Sequence, residues 1–257
     1  MLGLPFDDKS TFMKGSAKAP ALIRKYLHDG ASNYMSENGI DIEKDIELKD
    51  FGDLNISDYH QIEHQISEKI DLSLSSIFLG GDHSLSYPIL KAIKKVHPKI
   101  DLLHFDAHAD TYHNFEGDPF SHACPFARVM EDGLVVRMIS VGIRNMSKHL
   151  LEQSAKFGIE TIMMKDVGQI KSFNFTNPLY ISIDMDAFDP AFAPGVSHYE
   201  PGGFSSRDFI NLLNKIKSPV LGADIVELNP DRDPLEITAT LAAKLVKELC
   251  GLIIRNN

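Results

Sequence analysis

The stretch IDLLHFDAHAD, residues 100–110, contains the pattern that decides the fold. Its apolar run, Ile100 to Phe105, has the length of a buried strand and ends directly in the polar motif DAHAD. Short apolar runs of this kind alternate along the chain with longer amphipathic stretches, which is the order of β and α units in a parallel sheet. The sequence therefore predicts an α/β fold with a central, mainly parallel sheet.

Other apolar runs in the chain also end in residues that can do chemistry. In open parallel sheets ligands bind outside the carboxyl ends of the strands, so we expect these residues to converge on one crevice. Ser86 and Pro88 predict the start of a helix that continues through Val96, which places His83 in a strand-to-helix turn. The runs and the residues that follow them are 76–79 before GGDHS at 80–84, 138–141 before Arg144, 179–183 before Asp184, and 221–226 before Glu227.

Carboxylates and imidazoles dominate DAHAD at 106–110 and a second motif, SIDMDAFDP at 182–190, which contains Asp184 and Asp186. Aspartates that are brought together at neutral pH repel one another unless protons or cations compensate them. Oxygen and imidazole donors without a thiolate suit Mn²⁺ or Mg²⁺ better than a structural zinc site, and the histidines favour Mn²⁺ over Mg²⁺. The two motifs together predict a two-metal hydrolytic site.

Composition excludes several classes of function. The 257 residues carry a formal net charge of −10, which argues against a nucleic-acid partner and is compatible with a cationic ligand. Cys124 and Cys250 cannot build a disulfide framework, and the first ten residues lack the features of a signal peptide. No apolar run reaches the roughly 20 residues that a bilayer requires. We therefore expect a cytoplasmic protein with no nucleic-acid or membrane partner.

Several histidines are not assigned to the predicted metal site. His60 and His64 are spaced four residues apart, but the order H-E-x-x-H of zinc proteases is absent, so both are expected on a solvated helix face. His104 lies inside the apolar run before DAHAD and is predicted to be a core histidine whose hydrogen bonds are satisfied locally.

Four motifs, taken in order, resemble those of the ureohydrolase family of arginases and agmatinases. The resemblance extends from residue 2 to the last helix, so it implies a single ureohydrolase domain over residues 1–257 with the three-layer α/β/α arginase-type fold. The segments 112–131 and 192–208 resemble plant-type arginases, which are themselves similar to agmatinases. The family likeness also implies a homo-oligomer, either a trimer or a hexamer. The motifs are GGDHS at 80–84, DAHAD at 106–110, SIDMDAFDPAFAPG at 182–195 and DIVELNP at 224–230.

The same resemblance implies two Mn²⁺ ions per subunit and a ligand for each motif position. Asp106 and Asp184 would bridge the two ions. One ion would be held by His83, Asp106, Asp110 and Asp184, and the other by Asp106, His108, Asp184 and Asp186.

The implied reaction is hydrolysis of a guanidinium group to urea and an amine by a metal-activated hydroxide. His122 matches the family's proton shuttle, a role that suits the ordinary pKa of an imidazole. Glu227 matches the acid that pairs with the guanidinium nitrogens, because two carboxylate oxygens can accept a planar fork of N–H groups. Asp110 is counted with these two as a catalytic residue.

The substrate is predicted from the loops around the site. Animal-type arginases carry an asparagine two residues after their DAHxD motif and an aspartate after a G-[LIV]-R segment, and both features are missing here. Because DAHADT is agmatinase-like, we expect agmatine to be cleaved to putrescine. L-arginine, cleaved to ornithine, or another guanidino acid is the alternative. His113, His198 and Tyr199 are predicted to contact the tail of this small cationic substrate.

Two hypotheses from other classes remain open at this point. Cys124 follows His122 by two residues, so a thiol hydrolase with Cys124 as nucleophile is one of them. The other is a non-catalytic binding protein with the arginase fold, because a fold alone never establishes turnover.

Overall fold

A seven-stranded, entirely parallel sheet forms the centre of the molecule. The computed structural model describes residues 1–257. The prediction of an α/β fold with a mainly parallel sheet is confirmed. In order across the sheet, the strands are β1 (Leu2–Gly3), β2 (Ser76–Leu79), β7 (Val220–Val226), β6 (Leu179–Asp184), β3 (Asp101–Phe105), β4 (Arg137–Ile143) and β5 (Glu160–Met163).

Helices cover both faces of this sheet and give the three layers that the family likeness implies. Successive strand residues point to opposite faces, so Ile77 and Leu79 join one apolar cluster while Phe78 joins the other. The first cluster packs against α1, α6 and α7, and the second against α2, α3 and α4. No helix combines the length and the apolar character that a membrane span requires. The helices are α1 (Ala19–His28), α2 (Ile62–Lys69), α3 (Ser86–Lys94), α4 (Pro125–Glu131), α5 (Lys148–Phe157), α6 (Ser206–Leu213) and α7 (Ile237–Asn256).

The turn between β2 and α3 differs from the prediction in its capping residue. The side chain of Asp82, rather than Ser86, accepts the capping hydrogen bond, from the backbone N–H of Ser84. A 3₁₀ turn over His83–Leu85 follows, and α3 ends at Lys94, two residues before the predicted end. Because an aspartate at the start of a turn satisfies the first free N–H groups, it fixes the backbone that carries His83.

The strand order explains how distant motifs meet. The strands β2, β7, β6, β3 and β4 are direct neighbours, so the residues that follow them lie side by side at one edge of the sheet. The N-terminal segment crosses the same edge, where Asp82 donates its backbone N–H to the carbonyl of Phe6 over 3.0 Å. Gly81 permits this close approach, because a Cβ at that position would collide with the Phe6 carbonyl.

Candidate metal centre and its cavity

Four donor atoms converge where β2, β3 and β6 end. The Nδ1 atom of His83 lies 3.2 Å from Asp106 Oδ2, 3.1 Å from Asp110 Oδ2 and 3.1 Å from Asp184 Oδ2. This buried nitrogen has no hydrogen-bond partner, although three carboxylate oxygens surround it. One imidazole nitrogen and three carboxylate oxygens around a single point form a donor set that suits a divalent cation.

A second group of donors lies beside the first. The Nδ1 atom of His108 is 3.0 Å from Asp186 Oδ2 and 3.5 Å from Asp106 Oδ1. Asp106 belongs to both groups, which matches the bridging position expected for it. Asp184 differs from its predicted bridging position, because it belongs to the first group and is absent from the second. Its Oδ1 instead accepts the backbone N–H of Asp186 over 2.7 Å. The fold therefore brings all six predicted ligands together as two adjacent groups.

The charges in these groups call for a cation. Burial, with repulsion from Asp186 and Asp106, raises the pKa of Asp184 well above its ordinary value. Burial also raises the pKa of Asp186 to about 6, and repulsion from Asp106 adds to this shift. Carboxylates that destabilise one another in a buried site are stabilised by a bound metal ion, so the electrostatics agree with the donor geometry.

A buried pair, His122 and Glu227, lies close to the donor groups. His122 Nδ1 is 2.9 Å from Glu227 Oε1, and the same oxygen accepts the backbone N–H of His83 over 2.9 Å. Although burial opposes the charged ring, the Glu227 carboxylate raises the pKa of His122 to about 9. At neutral pH the pair is therefore an imidazolium beside a carboxylate.

A cavity of about 190 Å³ joins the donor groups to this pair. Seven of its lining residues were predicted as site residues, and the other six were not. The predicted ones are His108, Asp110, His122, Asp184, Asp186, His198 and Glu227. The others are Thr11, Tyr112, Phe115, Ala123, Asn145 and Leu150.

With this geometry established, comparison with known proteins identifies the family. The model of the Arginase family matches residues 1–251. The chain belongs to the arginase family. It is thus an arginase-family hydrolase, in agreement with the expectation of a metal-dependent enzyme that cleaves C–N bonds of guanidino compounds.

Individual members of the arginase family resemble the chain over nearly its whole length. Arginase 1, mitochondrial, from Arabidopsis thaliana is 41% identical, with 98% of this chain and 80% of the relative covered. The solved arginase from Medicago truncatula superposes with a TM-score of 0.92 at 40% identity, covering 98% of this chain and 86% of that one. An agmatinase from Bacillus cereus is 30% identical, with 96% and 89% covered.

These relatives correct the expected cellular location. The Arabidopsis arginase is named mitochondrial, and so is a 40% identical arginase from Medicago truncatula. The prediction of a cytoplasmic protein was therefore wrong. It was a default assignment for a chain with few cysteines and no signal-peptide pattern. These two features do not distinguish the cytoplasm from an organelle.

The structure places two of the predicted tail contacts away from the cavity. His113 has a side chain that is 67% exposed and lies 3.3 Å from the guanidinium of Arg128, on the outside of the loop. Tyr199 donates its hydroxyl to the Pro194 carbonyl over 2.8 Å, and its ring is covered by a guanidinium from the 3₁₀ turn 230–232. Of the three predicted contacts, His198 alone lines the cavity, with its ring centroid 5.6 Å from that of His122.

Residues missed by the sequence analysis take the places of these contacts. Tyr112 and Asn145 line the cavity, and the ring of Tyr112 stacks on His149 with centroids 5.4 Å apart. Both lie in loops that the family comparison had already marked, after DAHAD and after Gly142-Ile143-Arg144. Thr11 had no such signal, yet its Oγ1 is 3.0 Å from His122 Nε2.

The backbone is strained at two of the candidate catalytic residues. Asp110, with φ 48°, and Glu227, with φ 63°, are two of five non-glycine residues in the left-handed region. This conformation costs on the order of 1–3 kcal/mol and persists when neighbouring contacts enforce it. The backbone N–H of Glu227 bonds the Gly81 carbonyl over 2.8 Å, and the Asp110 carbonyl accepts the N–H of Phe126 over 3.1 Å.

Two residues outside the proposed ligand set, His104 and Cys124, are both buried. His104 is fully buried, with Nδ1 3.2 Å from Ser140 Oγ and Nε2 2.8 Å from Asp106 Oδ2, so its hydrogen bonds are satisfied in the core. Cys124 is buried outside the cavity lining, and burial raises the pKa of its thiol to about 12. A nucleophilic cysteine requires a lowered pKa and access to substrate, so the thiol-hydrolase hypothesis is disfavoured.

Proposed function

We propose that this arginase-family hydrolase is an arginase, which cleaves L-arginine to ornithine and urea. The observation that carries the proposal is the pairing of two acidic donor groups with the His122–Glu227 pair inside one cavity. Likeness to plant arginases at about 40% identity favours arginine over agmatine, because the agmatinase relative is only 30% identical. The expectation of agmatine, which depended on Thr111 after DAHAD and on two missing features of animal-type arginases, is revised.

The donor groups fit a pair of divalent cations, which we propose to be Mn²⁺. The ligands would be the six residues predicted from the motifs, His83, Asp106, His108, Asp110, Asp184 and Asp186. When bound, the two ions would supply a hydroxide nucleophile near neutral pH and offset the charge of the four carboxylates.

Glu227 and His122 perform the chemistry that belongs to the chain itself. Glu227 is buried at the cavity wall, where its carboxylate can accept N–H groups from the planar guanidinium. As the C–N bond breaks, the leaving nitrogen needs a proton. The pKa of His122, raised to about 9 by Glu227 in spite of burial, keeps this ring protonated at neutral pH and ready to donate.

The cavity lining also provides groups that can hold the amino-acid end of arginine. No lysine or arginine lines the cavity, so neutral donors would bind the α-carboxylate. Tyr112 and Asn145 have the required N–H and O–H groups, and His198 adds an imidazole on the side of His122. The α-carboxylate of arginine would thus be bound by neutral hydrogen-bond donors and not by an ion pair with a lysine or arginine.

Urea release in the presence of Mn²⁺ tests the proposal. Arginine, agmatine, guanidinobutyrate and free guanidine are compared at equal concentration, and we expect the highest kcat/KM for arginine. A higher value for agmatine would assign the chain as an agmatinase. Release of urea from none of the four, with both metals bound, would favour the non-catalytic binding protein.

Two point changes test the assignment of roles within the site. Asp184→Asn removes a proposed ligand, so metal content and activity are expected to fall together. Glu227→Ala leaves the ligands intact, so both metals remain bound while kcat/KM falls. Metal analysis beside kinetics decides this, and full metal occupancy in Asp184→Asn contradicts its assignment as a ligand.

We also propose that residues 1–257 act as one ureohydrolase domain within a homo-oligomer, a trimer or a hexamer. Family membership supports this assembly. Light scattering coupled to size-exclusion chromatography measures the subunit number directly. A monomer at micromolar concentration would contradict it.

A further inference from the structure

A chain of buried hydrogen bonds lies behind His83, on the side of the ring that faces away from the carboxylates. His83 Nε2 is 3.0 Å from Ser182 Oγ, and Ser182 Oγ donates to Asp224 Oδ1 over 2.7 Å. All three residues are completely buried. Asp224 does not line the cavity, so the proposed chemistry leaves this carboxylate without a direct role.

Asp224 is surrounded by hydroxyl groups. Ser86 and Tyr180 donate to its Oδ2 over 2.8 and 3.0 Å, in addition to the Ser182 bond on Oδ1. Burial raises the pKa of Asp224, and the three hydroxyl donors act against this shift. A buried carboxylate is costly in free energy, and three donors on an acceptor-only group show that the surroundings are built for its ionised form.

The direction of these bonds sets the tautomer of His83. A serine hydroxyl has one proton, and Ser182 gives its proton to Asp224. The oxygen of Ser182 must therefore accept from His83, which requires the ring proton on Nε2. In the neutral ring, which is the form that binds a metal ion, the Nδ1 atom is then left with a lone pair, and this is the atom that the three carboxylate oxygens surround. The Ser86 hydroxyl, 3.3 Å from Ser182, is itself committed to Asp224.

We propose that Asp224, acting through Ser182, is a positioning residue that holds His83 in the tautomer able to bind a divalent cation. The inference rests on the proposed function in one respect, namely that His83 is a metal ligand. It makes a selective prediction, because His83 is absent from the donor group formed by Asp106, His108 and Asp186. Loss of this hydrogen-bonded relay from Asp224 through Ser182 to His83 should weaken the binding of one of the two proposed ions.

Ser182→Ala and Ser86→Ala form a matched pair for the test. Both serines donate to Asp224, but only Ser182 contacts His83. Titration of the metal-free protein with Mn²⁺ by calorimetry is expected to show one site weakened about 10- to 100-fold in Ser182→Ala, the range found for partners of metal ligands. Ser86→Ala should change neither site by more than about threefold. Asp224→Asn should reproduce the selective loss, because an amide can donate to Ser182 and reverse the direction of the relay.

Two results would overturn the proposal. One is wild-type Mn²⁺ binding at both sites in Ser182→Ala, and the other is an equal loss in Ser182→Ala and Ser86→Ala. Circular dichroism of the metal-free variants controls for folding. Nitrogen NMR of histidine-labelled protein measures the tautomer independently. A His83 ring with no proton on Nε2 in the metal-free wild type would contradict the relay. Failure of the chain to bind any Mn²⁺ is a separate result, which would instead reject the proposed function.

Discussion

Among single residues, Glu227 links the proposed proton donor, His122, to the loop of the proposed metal ligand His83. Its Oε1 contacts both His122 Nδ1 and the backbone N–H of His83. The charge on this carboxylate is therefore the reason that the His122 ring stays protonated in a buried place. Replacing Glu227 with glutamine removes the charge but keeps the shape of the side chain, so it isolates the effect of the charge on the pKa of His122.

Glu227→Gln is expected to return the pKa of His122 from about 9 towards its ordinary value. Because the folded-state pKa is higher than the unfolded value of about 6.5, the pair stabilises the fold fully below about pH 6.5. This contribution is lost as the pH rises through about 9. An NMR titration of the His122 ring and melting curves between pH 6 and 10 measure both effects.

The matched control for this change is Glu131→Gln, beside the exposed ring of His113. Solvent screens that pair, so the titration of His122 should not move. An unchanged His122 midpoint in Glu227→Gln would show that hydrogen bonding or other carboxylates hold the proton on the ring.

Thr11 completes the hydrogen bonding of His122 from the opposite side of the ring. Thr11→Val removes the hydroxyl that lies 3.0 Å from Nε2 but keeps the shape of the side chain. A hydrogen bond contributes about 1 kcal/mol, so we expect kcat to fall about fivefold with little change in KM. Thr11→Ser should restore kcat. Equal damage by serine and valine would mean that packing of the methyl group, and not the hydroxyl, is what matters.

At the scale of elements, Arg144 ties together three segments that build the cavity. It follows β4, and its guanidinium donates to the carbonyls of Asp186 over 2.7 Å, Ala187 over 3.2 Å and Glu200 over 2.9 Å. The first two carbonyls belong to the turn that carries a proposed ligand, and the third belongs to the loop of His198.

Arg144→Met is expected to lower the free energy of unfolding by about 3 kcal/mol, because buried carbonyls lose charged donors. It should also weaken Mn²⁺ binding, since Asp186 loses its anchored turn. Arg137→Met, at the other end of β4, is the matched control. Its exposed ion pair with Glu160 should contribute less than about 1 kcal/mol. Urea denaturation compares the two variants, and equal losses would reject the role of Arg144 as a clamp.

Five of the seven strands and the residues after them were predictable from sequence, while the edge strands β1 and β5 and the loops were not. Each apolar run became a strand because burial on both faces of a parallel sheet selects continuous apolar residues. Thr11 escaped prediction because its contact with His122 spans 111 positions and has no periodic signal. His113 was assigned wrongly to the cavity because the loop backbone, which the sequence does not reveal, decides which of two neighbouring side chains faces inward. Tyr112 lines the cavity instead.

The site ligands were predictable for a different reason. Asp106 directly follows β3, Asp184 ends β6, and His83 lies four residues after the end of β2, so the sheet order brings them to the same edge. Asp224 and Ser182 lie within strands and resemble ordinary polar interruptions in an apolar run. Only the register, which pairs Ser182 with Asp224 across β6 and β7, reveals that they face one another.

For the molecule as a whole, the carboxylates at the centre of the sheet edge oppose folding unless a cation is bound. Burial and mutual repulsion raise the pKa of Asp184, and the chain already carries a net charge of −10. Metal binding should therefore contribute directly to the stability of the native state. An ion present at 100 times its Kd stabilises the fold by about 2.7 kcal/mol, which shifts the melting temperature of a chain this size by about 5–10 °C.

Chelation by EDTA is expected to lower the melting temperature by that amount, and added Mn²⁺ should restore it more effectively than Mg²⁺, because imidazole nitrogens favour the transition metal. Asp184→Asn supplies the decisive comparison. With one buried charge removed, its metal-free form should melt at or above the temperature of the metal-free wild type, yet respond less to Mn²⁺. Differential scanning calorimetry measures both. A variant that melts lower than the wild type without metal, and responds equally to Mn²⁺, would show that Asp184 stabilises the fold through its hydrogen bond to Asp186 and not through a cation.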